Sequence, residues 1–126
     1  MRVLVIEDEE TIQGIIASFL TRYGQSCGIQ VEVKGLRDAV MGLYELTTHG
    51  DAYDLVVLDV RMPAMPGDDI YENLVRIEPD LVARVMFVTG YREEIERRFL
   101  ARTPAILDKP FRYEQFSGMV AELVGN

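Results

Sequence analysis

Residues 54 to 67 read DLVVLDVRMPAMPG. Within them Leu55 to Leu58 form an apolar run with no alternation, as expected of a strand buried on both faces of a parallel sheet. The run ends in one acid, Asp59, which taken alone is an ordinary turn residue ahead of Val60, Arg61, Met62 and Pro63. Runs of the same type recur at Val3 to Ile6 and Val85 to Val88, with a shorter one at Ala105 to Leu107. Ile29, Val31 and Val33 instead alternate with Gln30, Glu32 and Lys34, which predicts an edge strand with one wetter face.

The segments between these runs carry the helical period. Ile12, Ile15, Ile16, Phe19, Leu20 and Tyr23 form one stripe, and Gly24 is read as its stop. Leu36, Ala39, Val40, Leu43 and Leu46 form a second, and Ile70, Leu74 and Ile77 a third that Pro79 ends. A fourth helix is expected over 92–101, anchored by Ile95, Phe99 and Leu100, with Glu93–Arg97 and Glu94–Arg98 as i, i+4 pairs. The fifth spans Arg112 to Val124 on Tyr113, Phe116, Met119, Val120 and Leu123, and Gly125 is its stop.

Strands alternating with helices predict an α/β fold: a doubly wound (βα)5 sandwich around a five-stranded parallel sheet. Right-handed crossovers put helices one and five on one face and two, three and four on the other, provided the chain reverses direction after strand one; the order 2-1-3-4-5 is taken over from known flavodoxin-like sheets of five strands. No linker, repeat or low-complexity stretch interrupts residues 1–126, so one domain is expected.

Of the 126 residues 48% are hydrophobic and 27% charged, too apolar for a disordered tail. The 13 basic and 21 acidic residues leave a net charge of −8, which argues against direct nucleic-acid binding or attachment to an anionic membrane. A cation is the expected charged partner. The single Cys27 cannot form an intramolecular disulfide and suits a reducing compartment. No apolar run nears the roughly 20 residues that span a bilayer. Met1 and Arg2 lead into only a short apolar run before the acids at Glu7 to Glu10, unlike a signal peptide, so a cytoplasmic location is expected.

In open α/β sheets chemistry gathers beyond the carboxyl ends of the strands, near the reversal of strand order. Those ends carry Glu7 and Asp8, then Asp59, then Thr89 with Gly90, then Asp108, Lys109 and Pro110. Each has an ordinary reading. The acids from Glu7 to Glu10 favour a helix start, which suffices for Glu9 and Glu10; Thr89 is a candidate helix cap and Lys109 a solvated amine. Together they converge, because strands one and three are neighbours in this order. Three close carboxylates raise a pKa or draw in a cation. An oxygen-only donor set suits a hard ion, Mg²⁺ first and Mn²⁺ as its alternative. A phosphoryl group on the central Asp59 would give Lys109 an anion to pair with and Thr89 an acceptor for its hydroxyl.

These residues resemble the receiver domain of two-component response regulators along essentially the whole chain. The resemblance lies in VLVIEDEE with Glu7 and Asp8, DLVVLDVRMPAMPG with Asp59, FVTGY with Thr89, and LDKPF with Lys109. It implies that Asp59 accepts a phosphoryl group from a phosphohistidine on a sensor histidine kinase or histidine phosphotransfer protein. The metal ligands it implies are Glu7, Asp8, Asp59 and the backbone carbonyl of Arg61, and Thr89 and Lys109 would contact the phosphoryl group. It also implies a cis Lys109–Pro110 bond and a turn at Gly67. Output would pass to a downstream protein or effector domain through the face of helix four, strand five and helix five, with a homodimer on activation as a further option.

The chain departs from the family at several points. Ile106 stands where the family has a switch aromatic, and Pro66 replaces a commonly acidic residue. The stretch from Thr89 to Lys109 is short, which predicts a truncated or irregular helix four. Arg61 and Tyr91 lie two residues beyond Asp59 and Thr89; they either set the lifetime of the phosphoryl group or merely cover the pocket rim. Two other functions stay open. A Mg²⁺-dependent phosphatase would need a second acid where Arg61 stands, and an interaction module working without phosphate would fit the loss of the aromatic at Ile106. A chain whose first strand follows Met1 directly is expected to be a solitary or N-terminal receiver. His49 shows no partner in the sequence, and the six Met residues are read as core filling.

Overall fold

The computed structural model describes residues 1–125. In chain order the elements are β1 (Arg2–Ile6), α1 (Glu10–Cys27), β2 (Glu32–Leu36), α2 (Ala39–His49), β3 (Leu55–Leu58), α3 (Gly67–Ile77), β4 (Val85–Thr89), α4 (Arg92–Arg98), β5 (Ala105–Asp108) and α5 (Tyr113–Val124). Single 3₁₀ segments at Gly50–Ala52 and Pro79–Arg84 lead into β3 and β4. The strands form one parallel sheet in the order β2-β1-β3-β4-β5. The expected fold is therefore the observed one.

Burial on both sides explains the unbroken apolar runs Val3–Ile6, Leu55–Leu58 and Val85–Val88 in β1, β3 and β4. Successive side chains point to opposite faces. Val3, Val5, Leu55, Val57, Met86 and Val88 pack with Ile16, Leu20, Phe116 and Val120 of α1 and α5. Leu4, Ile6, Val56, Leu58 and Phe87 pack on the other side with Leu46, Ile70, Leu74 and Ile95 of α2, α3 and α4. Each face buries a continuous core, the main favourable term for a sheet of this size.

Four details depart from the sequence expectation. Gly24 does not stop α1: it lies buried inside the helix, where a Cβ would come within 2.7 Å of Val31 Cγ2 and 2.8 Å of the Ile29 carbonyl oxygen. The stop is Gly28, at φ 67°, whose N–H closes on the Gly24 carbonyl. Residues 29–31 are connecting backbone rather than strand, so β2 begins at Glu32 and takes in Leu36, the first residue of the predicted second helical stripe. α2 opens instead behind Asp38, whose side chain accepts from the Met41 N–H at 2.9 Å. In α3, Tyr71 rather than Ile77 completes the buried stripe, and Ile77 is exposed.

The truncation expected of helix four is observed: α4 ends at Arg98 after two turns, short of position 101. Leu100, expected as an anchor, is 83% exposed. Glu93 pairs with Arg97 at 3.1 Å as anticipated, but Glu94 pairs with Arg61 and Arg98 turns to α3. There its guanidinium meets Asp68 at 2.7 Å, Asp69 at 2.6 Å, and Glu72. Phe99 then packs edge-on against Tyr71, with centroids 4.8 Å apart. Tertiary partners thus replace the second local pair.

His49, unassigned from the sequence, sits with Nδ1 3.4 Å from Glu45. Glu45 also receives the hydroxyl of the buried Tyr53 and the ammonium of Lys34 at 3.4 Å. Met62 and Met86 fill core as expected, whereas Met41 is exposed.

Candidate functional site

Backbone hydrogen bonds carry the sheet one step past its strand ends and so place the candidate residues. Asp59 N–H donates to the Ile6 carbonyl at 3.0 Å, Glu7 N–H to Leu36 at 3.0 Å, and Lys109 N–H to Thr89 at 3.0 Å. Glu7 and Asp59 therefore sit side by side on adjacent strands, with Lys109 reaching in from the far edge. Carboxylate oxygens of Glu7, Asp8 and Asp59 lie within 4.8 Å of one another. Glu7 and Asp59 are buried and Asp8 half-buried.

Two buried acids this close need compensation. Lys109 Nζ lies 3.1 Å from Glu7 Oε1 and 3.4 Å from Asp59 Oδ1, so one ammonium bridges both. The Glu9 N–H donates to Glu7 Oε2 at 3.1 Å, and the Val60 N–H to Asp59 Oδ1 at 2.8 Å. Burial pushes the Glu7 carboxyl up, the Glu9 N–H pulls it back, and the charge of Asp59 adds to the rise, leaving it at about 7. Burial acts to lower Lys109, but the Asp59 charge and the Glu7 contact outweigh it, and its pKa is raised. Three carboxyls face a single ammonium. An all-oxygen donor set carrying excess negative charge fits a divalent hard cation.

The remaining candidates lie around this centre. Thr89 is fully buried, and its Oγ1 accepts from the Tyr91 N–H at 2.9 Å, a local turn bond just ahead of α4. The Arg61 guanidinium stacks 4.1 Å from the Tyr91 ring centroid while pairing with Glu94. Arg61 and Tyr91 are thus one unit at the rim rather than two separate side chains. The Lys109–Pro110 peptide bond is cis. Ile106 is buried in the core on the α3 and α4 side, with no polar tip to swing. Gly67 is where the loop after Asp59 passes closest to it: a Cβ would overlap the Asp59 carbonyl oxygen and lie 2.8 Å from its carbon.

Sequence reading missed Arg92. Its Nε lies 3.0 Å from each Asp108 carboxylate oxygen and its Nη2 donates to the Ile106 carbonyl at 2.8 Å, so α4 grips the strand end that presents Lys109. An unexplained acid at Asp108 was the only hint. Glu94 was missed because a helical i, i+4 spacing supplied it with a false partner. Gln13 was missed as one more polar residue on an amphipathic helix, although its amide lies 3.1 Å from the Glu7 carbonyl.

Comparison with known proteins agrees with this geometry. The family model of the response regulator receiver domain matches residues 3–121. A two-component response regulator of rice, ORR24 of Oryza sativa subsp. indica, is 33% identical over 115 residues, covering 91% of this chain and 17% of that protein. The sensor kinase CckA of Brucella abortus is 30% identical over 127 residues, covering 97% of this chain and 12% of the relative. The chain thus spans under a fifth of the length of these curated relatives. Among solved structures, a response regulator receiver domain protein from Clostridium thermocellum superposes with a TM-score of 0.80 at 26% identity, covering 98% of this chain and 94% of that one. The receiver domain of a Pseudomonas aeruginosa sensor histidine kinase, with a magnesium ion coordinated in its active-site cleft, has the same fold, with a TM-score of 0.80 at 19% identity over 99% and 96% of the two chains. No helix among the described residues is long and apolar enough to cross a membrane. With a family match over almost its whole length and acids, hydroxyl and lysine on successive strand ends of a 2-1-3-4-5 sheet, this chain belongs to the response regulator receiver domains of two-component signalling.

Proposed function

We propose that this chain is a phosphoacceptor switch whose Asp59 takes a phosphoryl group from a phosphohistidine. The observation that carries the proposal is the buried Asp59 carboxylate, set among Glu7, Asp8 and Lys109 at the carboxyl edge of the sheet. In the transfer an Asp59 carboxylate oxygen attacks phosphorus in line with the leaving imidazole; a P–O bond forms as the P–N bond breaks, and hydrolysis later returns the carboxylate and inorganic phosphate. Lys109 already lies 3.4 Å from Asp59 Oδ1 and pairs with the added oxygens. Thr89 accepts from Tyr91 N–H, which leaves its own proton to donate to the phosphoryl group.

Glu7, Asp8, Asp59 and the Arg61 backbone carbonyl are the proposed ligands of Mg²⁺, with Mn²⁺ suited to the same donors. When bound, the cation supplies charge neutralisation for the acids and the transferred group. Residues 1–126 act as one receiver domain in the cytoplasm. A sensor histidine kinase or histidine phosphotransfer protein is the donor, and a downstream protein or effector domain reads the face of α4, β5 and α5. With Ile106 at the aromatic's position, the signal passes instead through the residues that tie α4 to the site: Arg61–Glu94 and Arg92–Asp108.

Incubation with Mg²⁺ and acetyl phosphate, followed by intact mass, tests this. The expected result is a gain of one phosphoryl group in the wild type and none in Asp59→Asn. Donor turnover without adduct would point to a phosphatase, and an unmodified wild type to a module that works without phosphate.

A further inference from the structure

We infer that Gln13 is a positioning residue for the acidic pair, held in a slot that Gly35 leaves open, and that it tunes the pocket's affinity for a divalent cation. The cation ligands are those of the proposed phosphoacceptor site. Glu7 and Asp8 lie in the short loop between β1 and α1, and the N-cap of α1, Glu9, makes no side-chain capping bond. Where their carboxylates point therefore depends on how the loop backbone is held.

Gln13 supplies the hold. Its Nε2 donates to the Glu7 carbonyl at 3.1 Å and to the Leu36 carbonyl at 3.2 Å. One primary amide has two protons, and here both are spent bridging the ends of adjacent strands β1 and β2. The Glu7 N–H closes the same ring onto Leu36. Arg37 Nε holds the next carbonyl, Asp8, at 3.1 Å, but this arginine is largely exposed and shares itself with Glu10 at 3.9 Å. Gln13 is the better-sheltered donor of the two. Being neutral, it fixes the backbone without adding a positive charge that would oppose a cation.

The opposing wall is Gly35, paired with Val5 across the sheet. A glycine inside a strand weakens it and marks a close approach by another group. Here that group is the Gln13 carboxamide: a Cβ on Gly35 would come 2.7 Å from Gln13 Cδ and 3.2 Å from Nε2. The two positions therefore act as one device, with the glycine making the room that the amide occupies.

The test is a double-mutant cycle on the full chain, read as the Kd for Mn²⁺ and Mg²⁺ by calorimetry. Groups that orient metal ligands typically change affinity by about tenfold or more when removed. Gln13→Ala is expected to weaken binding about tenfold, and Gly35→Ala to weaken it comparably by expelling the carboxamide. In the Gln13→Ala background, Gly35→Ala should add less than about twofold, because nothing is left to expel. Gln13→Met fills the slot without donating and should match Gln13→Ala. A readout without cation accompanies these: amide exchange at Glu7 should accelerate in Gln13→Ala and Gln13→Met. Wild-type affinity and unchanged Glu7 exchange in Gln13→Met would overturn the inference, as would additive losses in the double variant. A wild type that takes up no cation, with Glu7 exchange still faster in the variants, would overturn the proposed ligand set while leaving Gln13's hold on the backbone intact.

Discussion

Replacing Gly67 by alanine should cost more stability than its one added methyl suggests. A Cβ there overlaps the Asp59 carbonyl oxygen, lies 2.8 Å from its carbonyl carbon and 3.2 Å from Leu58 Cγ. The obstacle is backbone at the end of a central strand, so no side-chain rotation relieves it. Forcing the loop outward costs roughly 1–3 kcal/mol as overpacking. It also breaks the 2.8 Å bond from the Gly67 N–H to the Val60 carbonyl, worth about 1 kcal/mol. The sum is about 3 kcal/mol, equivalent to a fall in Tm of roughly 10 °C for a domain of this size. Gly14 and Gly118 serve as controls of opposite sign: both lie in helices, with nothing within 4 Å of an added Cβ. Alanine there should stabilise by about 0.5–1 kcal/mol. With no Trp in the chain, urea unfolding followed by far-UV circular dichroism is the suitable assay. A Gly67→Ala protein within 1 kcal/mol of wild type would refute the reasoning, since the loop could then back away from Asp59 almost freely.

Other expectations follow from the ion pairs and rings. Arg98→Ala leaves Asp68, Asp69 and Glu72 facing one another; because the cluster is partly exposed, the loss is about 1 kcal/mol, with faster amide exchange in α4. Arg98→Lys should recover less than half of it, an ammonium being no substitute for a guanidinium fork; equal urea midpoints for wild type and Arg98→Ala would count against the network. Burial first, then the bond to Glu45, pushes the Tyr53 hydroxyl up from 10.0 to about 12. Its stabilising contribution is whole below pH 10 and lost as the pH rises towards 12. Tyrosinate absorbance should therefore show a late component that Tyr53→Phe diminishes, the remainder belonging to Tyr71, which burial also raises; early titration of every tyrosine in the folded protein would contradict this. At the rim, Arg61→Ala and Tyr91→Ala each dismantle the same stack, and should alter how long Asp59 stays phosphorylated more than how readily it is phosphorylated. Identical decay of the phosphoryl group in wild type and both variants would show the stack to be mere cover.

Much of the site was legible in the sequence because strand ends are legible. An apolar run must stop where the sheet stops, so Asp59 after Leu58, and Asp108 and Lys109 after Leu107, were placed at strand ends by periodicity alone. What could not be read was partner choice among charges. Glu94 and Arg98 have the spacing of a helical pair, yet each finds a better-placed partner on another element, in Arg61 and the α3 acids. Gly24 and Gly28 posed the same difficulty, for a glycine that ends a helix and one that lets the returning chain approach look alike in a sequence.

By itself the sequence determined the order of strands and helices, the two-sided burial of the sheet, and the acids, hydroxyl and amine at its carboxyl edge. The elements and their burial follow from local periodicity, and the shared edge from the strand order known for sheets of this kind, neither of which needs knowledge of individual distant contacts. Only the tertiary structure decided that Lys109 bridges Glu7 and Asp59, that burial lifts Glu7 to about 7, and that Gly35 makes room for Gln13. Those outcomes depend on desolvation and on approaches of a few ångströms between residues far apart in the chain, quantities that exist only once the chain has folded.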